Sequence, residues 1–425
     1  VHAVQSLNPT RSSRAWLPIA AVLMGTGWGS NQFTPMLLVY SHAMGLSTGT
    51  LEALFGAYAV GLIPGLLIAG PLSDAKGRRP VVIPAAALSL LASLTLVAGA
   101  HTVALLFVGR LLAGVGAGAV FGAGTAWLRE ASLPPLGDAG PATAARRAAV
   151  AMTLGFALGP LISGLVAQWA PQPRLTAYLP HIAMMVAVLA AASAAPETVP
   201  ATPGRRLRLS VPGVRHPRFR RHVGPMAPWV FAAPAVAFAL LPSVVGANHA
   251  TDGVALTAAI TALVALAGVL IQPVARRLEA RAGGVNAGTV GLGVVCAGLV
   301  LSAGAAQAGQ IWMLVPCGLV LGAAYGLILV AGLLEVQRLA QEGGLAGLTA
   351  AFYVLTYLGF AAPYLLALAS HAVGYPLLLT VTAALAAVTA MLVQRNTRSL
   401  AGASAKPSEA MSSRSAATSS FVRSG

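Results

Sequence analysis

Long apolar runs recur along almost the whole of this 425-residue chain, each closed by a short polar turn, and no other feature limits its folding as strongly. A helix rises about 1.5 Å per residue, so roughly 20 apolar residues cross a hydrocarbon core of about 30 Å. Runs of that length are expected at about 15–40, 52–73, 80–100, 102–129, 145–169, 175–195, 224–247, 253–274, 285–307, 310–335, 345–369 and 373–393. With 57% hydrophobic and 8% charged residues, the chain has no room for a soluble domain. The runs are uninterrupted rather than alternating, which selects helices over a barrel. The expectation is an all-α membrane protein with twelve transmembrane helices in two pseudo-symmetric six-helix halves.

The net charge of +16 belongs to topology, because nucleic-acid binding needs a basic face on a soluble domain. All but two of the 26 Lys and Arg residues fall in segments on the side of the N-terminus; Arg174 is alone opposite and Arg110 lies within a span. That asymmetry places both termini in the cytoplasm of a cell (plasma) membrane protein. The expected division is a half at 1–195, a polar linker at 196–222, a half at 223–395 and a disordered tail at 396–425. The linker carries Arg205, Arg206, Arg208, Arg215, Arg218, Arg220 and Arg221. Arg11 and Arg14 precede the first run without an A-x-A-like cleavage site, as an uncleaved first helix would. Cys296 and Cys317 read as small apolar filler.

The halves repeat. Leu154-Gly155-Phe156-Ala157 returns as Leu358-Gly359-Phe360-Ala361, Gly114 and Gly118 return as Gly322 and Gly326, and Gln272-Pro273-Val274-Ala275-Arg276-Arg277 echoes the turn between the second and third runs. Three matches in order at nearly one offset argue for duplication.

That turn, Gly70-Pro71-Leu72-Ser73-Asp74-Ala75-Lys76-Gly77-Arg78-Arg79-Pro80, is the densest charge cluster of the first hundred residues. It fits G-x-L-x-D-x-x-G-R-R/K and resembles the signature loop of the major facilitator superfamily, departing only where Ala75 replaces a usual basic residue. The resemblance implies two parallel six-helix halves around a substrate site near the midplane. It also implies that Gly70, Asp74, Gly77, Arg78 and Arg79 form a conformational switch in which Asp74, paired with Arg78 or Arg79 or capping a helix, latches the halves.

In the fourth run Arg110, Gly114, Gly118 and Gly122 recur every four residues along one stripe, the glycines allowing close helix approach. An arginine this deep needs water or a partner, in either a functional or a hydrogen-bonding structural role. The drug-exporting branch of the superfamily carries an arginine on this helix, so the resemblance makes Arg110 a candidate for proton or charge relay. The fifth run holds Gly155, Gly159, Pro160 and Gly164 in an element similar to the antiporters' G-x-x-x-G-P-x-x-G-G, with Ser163 in place of one glycine; it favours export. Small residues and proline are also common in membrane helices for packing alone.

No acid is expected at mid-membrane: Glu52 falls at the outer surface, and Glu130 and Glu335 near inner ends. Proton coupling would have to use Glu52, Asp74 or His181, the last expected as an interfacial structural histidine. Asn31, Gln32, Phe238, Tyr325, Tyr353 and Tyr357 are the substrate-cavity candidates, with helix packing the alternative for each aromatic. So apolar a cavity suits a hydrophobic compound, cations included, through stacking and cation–π contacts. The expected function is alternating-access efflux of a small molecule, coupled to protons, by a monomer in the lipid bilayer. An uptake carrier, as symporter or facilitator, and a non-transporting receptor are the rivals. No cluster of His, Cys or acids assembles a metal or nucleophile site, so neither an enzyme, a cofactor nor a metal is expected.

Overall fold

A computed structural model describes residues 14–201, 212–246, 251–280, 286–340 and 345–396. The expected tail at 396–425 apart from Asn396, which ends the last helix, Arg11 and the linker arginines Arg205, Arg206 and Arg208 lie outside the described residues.

The fold is all-α. Helices α1 (Trp16–Asn31) and α2 (Met36–Met44) together make the first crossing. Among the described residues, eleven further helices are long and apolar enough to cross a membrane: α3 (Thr48–Lys76), α4 (Arg79–His101), α5 (Val103–Ser132), α6 (Thr143–Trp169), α7 (Pro173–Ala192), α8 (Phe219–Val244), α9 (Gly253–Ala280), α10 (Ala287–Ala308), α11 (Ile311–Leu339), α12 (Gly347–Ala369) and α13 (Tyr375–Asn396). Capping sets some starts: Ser47 Oγ accepts from Thr50 N (3.2 Å) and Asn286 Oδ1 from Thr289 N (2.8 Å).

Three boundaries differ from expectation. The first run is not one helix. Pro35 lacks an N–H to offer Asn31 O, and Thr34 N donates there instead (3.0 Å), so the α-helical ladder breaks at 32–35. The second run does not stop before Asp74, because Ser73 Oγ donates to Gly70 O and Asp74 pairs with Arg78 one turn on, carrying α3 to Lys76. The turn is therefore Gly77 and Arg78 alone. Likewise Gln272–Arg277, expected to echo a loop, is helical within α9.

Duplication reappears as packing. A Cβ on Gly114 or Gly118 of α5 would stand 2.0 or 2.1 Å from the carbonyl oxygen of Tyr58 or Leu62 on α3. In the other half, a Cβ on Gly322 or Gly326 of α11 would stand 2.6 or 2.0 Å from the carbonyl oxygen of Val264 or Gly268 on α9. Gly155 meets Met24 O of α1 in the same way (2.1 Å), and Gly359 meets Pro228 O of α8 (2.1 Å). Repeated sequence thus forces repeated backbone contact.

The halves meet at the end opposite the arginine-rich one. Gln168 Nε2 donates to Thr251 O (2.8 Å), and Ala255 N donates to Gln168 Oε1 (3.1 Å), tying α6 to α9. Gly164 lets α9 in, since a Cβ there would be 2.3 Å from Ala258 Cβ. Nearby, Phe55 of α3 packs edge-on to Phe360 of α12, centroids 5.1 Å apart.

Candidate transport cavity and its charged surroundings

Between the halves lies a cavity with ≈ 530 Å³ of empty space, counting the part continuous with solvent. Asn31, Tyr58 and Phe156 line it from one half, and Phe231, Phe238, Tyr325, Tyr357 and Phe360 from the other. Phe231 is the hub: Tyr357, Phe360 and Tyr325 stack on it with centroids 4.7, 4.9 and 5.7 Å away. A π-helical turn at Val236–Leu240, just beyond Pro234, presents Phe238 to the space. Of the cavity candidates, Asn31, Phe238, Tyr325 and Tyr357 stand on the lining. Tyr353 lies behind it against Tyr357, centroids 6.5 Å apart.

Gln32 points elsewhere. Its Nε2 donates to Ser93 Oγ (2.7 Å), which shares a hydrogen bond with His181 Nδ1 (2.8 Å), and His181 Nε2 is 3.0 Å from Gly25 O. His181 is fully buried among α1, α4 and α7 rather than interfacial, because this chain satisfies both ring nitrogens. Glu52 also departs from expectation: it stands near the outer end of α3 but is buried, and its Oε2 has no hydrogen-bond partner.

Arg110 is 1% exposed and its guanidinium is held by backbone carbonyls: Nε donates to Leu54 O (3.2 Å), Nη2 to Phe55 O (3.1 Å) and Nη1 to Ser30 O (3.2 Å). Ser30 O is free because Thr34 N has turned to Asn31 O at the break. The cation also lies 4.8 Å from the ring centroids of both Phe33 and Tyr58. Gln32 O, on the same break, accepts from the buried Ser163 Oγ (2.8 Å), which explains the serine within the α6 element. Gly155, Gly159 and Gly164 of that element face α1 and α9, and α6 runs unbroken through Pro160.

At the arginine-rich end, Arg78 bridges Asp74 (2.6 Å) and Glu130 (2.9 Å), joining the ends of α3 and α5. Burial pulls against its charge, but hydrogen bonding and charge from Glu130, then Asp74, outweigh it and hold the guanidinium above its ordinary pKa. Glu197 accepts from the backbone amides of Arg78 and Arg79 (both 2.9 Å), Arg79 donates to Ser193 O, and Thr198 donates to Glu130. Gly77 has φ +100°, and a Cβ there would stand 2.6 Å from Glu197 Oε2, so both conformation and space require glycine. Around Gly70 nothing approaches within 4 Å of such a Cβ. Glu335, at the matching place on α11, forms an ion pair with Arg218 (2.8 Å) and accepts from Arg338 (3.3 Å). Sequence reasoning missed Glu197, Tyr58, Phe231 and Phe360; only Glu197 carried a signal, as the lone acid of the arginine-rich linker.

A family model described as Major Facilitator Superfamily matches residues 17–363. The chain belongs to that superfamily. Within the superfamily, it is 40% identical over 84 residues to multidrug resistance protein MdtL of Escherichia coli O45:K1, covering 20% of this chain and 21% of that protein. It is 38% identical over 87 residues to MdtL of Klebsiella pneumoniae, with shares of 20% and 22%. The matched stretch thus spans about a fifth of these relatives' length. In fold the chain is similar to a POT family transporter in complex with 5-aminolevulinic acid, with TM-score 0.75, 12% identity and coverage of 91% and 96% of the two chains. It is also similar to the nucleoside transporter NupG, with TM-score 0.69, 13% identity and coverage of 89% and 98%. Membership in the Major Facilitator Superfamily makes this chain a multi-pass membrane protein, and its fold is that of the solved transporters it resembles.

Proposed function

We propose that this transporter moves a small, largely apolar molecule out of the cell, taking it up in the aromatic cavity from the arginine-rich side. The observation that carries the reading is the cavity itself, lined by rings from both halves and set beneath a closed contact between α6 and α9. The positive-inside rule assigns the arginine-rich side to the cytoplasm, so the described conformation is inward-facing. Export is supported by the α6 element and by the partial likeness to proteins named for multidrug resistance. In this reading 1–195 and 223–395 rock about the site, the linker joins them, and Asp74, Arg78 and Glu130 steady the inward-facing ends. Protons drive the cycle, with Arg110 in the relay.

A second reading is favoured by one observation: among the described residues the lining contains no Asp, Glu, Lys or Arg. A carrier with no carboxylate or basic side chain at its site runs as an uptake carrier or facilitator, its direction set by the solute gradient. Inverted vesicles energised to an acidic interior and loaded with a pH-sensitive dye separate the two. Alkalinisation on adding a substrate supports proton-coupled export. Solute flux that is insensitive to a protonophore supports the facilitator.

A further inference from the structure

The cavity has an electrical sign that its lining does not reveal. Arg110 is a full positive charge buried directly behind the wall, with Tyr58 as the partition: one face of the ring lies 4.8 Å from the guanidinium and the residue borders the cavity. Its hydrogen-bond partners are three carbonyl dipoles, and the titratable neighbours that act on it are Tyr58 and Tyr178 rather than a carboxylate. Glu52, on α3 with Tyr58, forms no ion pair with Arg110 among the described residues and is not on the lining described. Dipoles fall off faster with distance than the charge they solvate, so a net positive potential reaches the cavity. Among the described residues no acid stands in the lining to offset it. One of the lining rings that would otherwise receive a cationic solute, Tyr58, already has a face taken by the protein's own cation.

The polar groups agree with the field. Asn31 offers an amide N–H, and Tyr58, Tyr325 and Tyr357 offer hydroxyls. Tyr58 Oη lies beside Ser30 but makes no well-formed hydrogen bond, although it is buried, so a donor is left over at the wall.

We propose that the cavity selects planar aromatic solutes bearing hydrogen-bond acceptors, neutral or negatively charged, and discriminates against lipophilic cations, with Arg110 setting the sign. This rests on the cavity being the transport site, and it reverses the cation preference that the aromatic residues alone imply. Stacking on Phe231 supplies affinity, the Tyr and Asn31 donors hold an acceptor oxygen, and the guanidinium acts through space without touching the solute.

The test is a charge series on one scaffold: 2-naphthoate, 2-naphthamide and 2-naphthylmethylammonium, titrated into the full-length protein in neutral phosphatidylcholine nanodiscs. The naphthoate and naphthamide should bind at least tenfold more tightly than the ammonium, and Phe231→Ala should weaken both. Arg110→Gln should shrink the anion-over-cation ratio at least tenfold and Arg110→Lys should preserve it. Should Arg110→Gln fail to fold, the wild-type series alone decides. Equal or tighter binding of the ammonium overturns the inference, as does no binding of any member. Flux in proteoliposomes is read separately. A bound but untransported naphthoate would sink the transport reading and leave the selectivity standing, whereas flux of other solutes without naphthalene binding would do the reverse.

Discussion

Arg110 Nη1 donates across 3.2 Å to Ser30 O, a carbonyl that is available only because Pro35 has broken the first crossing. A charge on α5 is thereby fastened to an interruption between α1 and α2. Lysine keeps the charge but is a compact ammonium that cannot fork across Leu54 O and Phe55 O while reaching Ser30 O. Arg110→Lys should lower stability by about 1–3 kcal/mol, read as a fall in the detergent melting temperature, since hydrogen bonds to charged groups contribute on that order. An unchanged melting temperature would mean that the three carbonyls are not its support.

The glycines make a graded test. Gly114→Ala drives a methyl to 2.0 Å from Tyr58 O and Gly326→Ala drives one to 2.0 Å from Gly268 O, both backbone atoms that cannot move alone. Each should cost about 1–3 kcal/mol by overpacking. Gly122→Ala, whose nearest neighbour is the Leu66 Cδ1 methyl at 3.4 Å, should be tolerated. Fluorescence-detected size exclusion after heating ranks the three, and equal losses would contradict the packing described.

Asp74→Asn should impair transport while leaving the amount of folded protein unchanged, because Arg78 retains Glu130. Glu130→Gln removes the second carboxylate and weakens the tie to Thr198; with its side chain 32% exposed, the loss in stability should be about 1 kcal/mol or less after solvent screening. Arg78 sits above its ordinary pKa, so its contribution is complete below that value and is lost only as pH rises beyond it. Its charge therefore contributes no pH dependence across the physiological range, and a melting curve that tracked Arg78 titration near neutrality would refute the pairing.

Linking α6 to α9 should stop turnover. After replacement of the free thiols of Cys296 and Cys317, a short bifunctional reagent across Gln168→Cys and Ala255→Cys should abolish flux, and each single variant should retain it. Undiminished flux in the linked protein would show that this contact does not open during the cycle.

Much was legible in the linear chain because a bilayer permits so little. Run length alone located the eleven long apolar helices of the described residues to within about six residues, and recurring Leu-Gly-Phe-Ala and paired glycines announced a duplication that the structure repeats as helix contacts. Asn31, Phe238, Tyr325 and Tyr357 were reachable as cavity-lining residues because polar and aromatic side chains at mid-helix are few. Gln32 and His181 were not placed correctly, since one residue along a helix turns a side chain by about 100°, and only a three-dimensional partner such as Ser93 shows which way it faces.

Apolar length and basic asymmetry thus determined that this chain spans a membrane many times, and the Gly70–Pro80 string with its distant echoes determined the family. Tertiary structure decided where the charges act. Carbonyls released at a helix break hold Arg110, Glu197 closes on the Gly77 turn from well over a hundred residues away, and rings from two halves gather around Phe231. Hydropathy is additive along a chain and survives in its sequence. Hydrogen bonds and ring contacts are pairwise in space, and they exist only once the helices have packed.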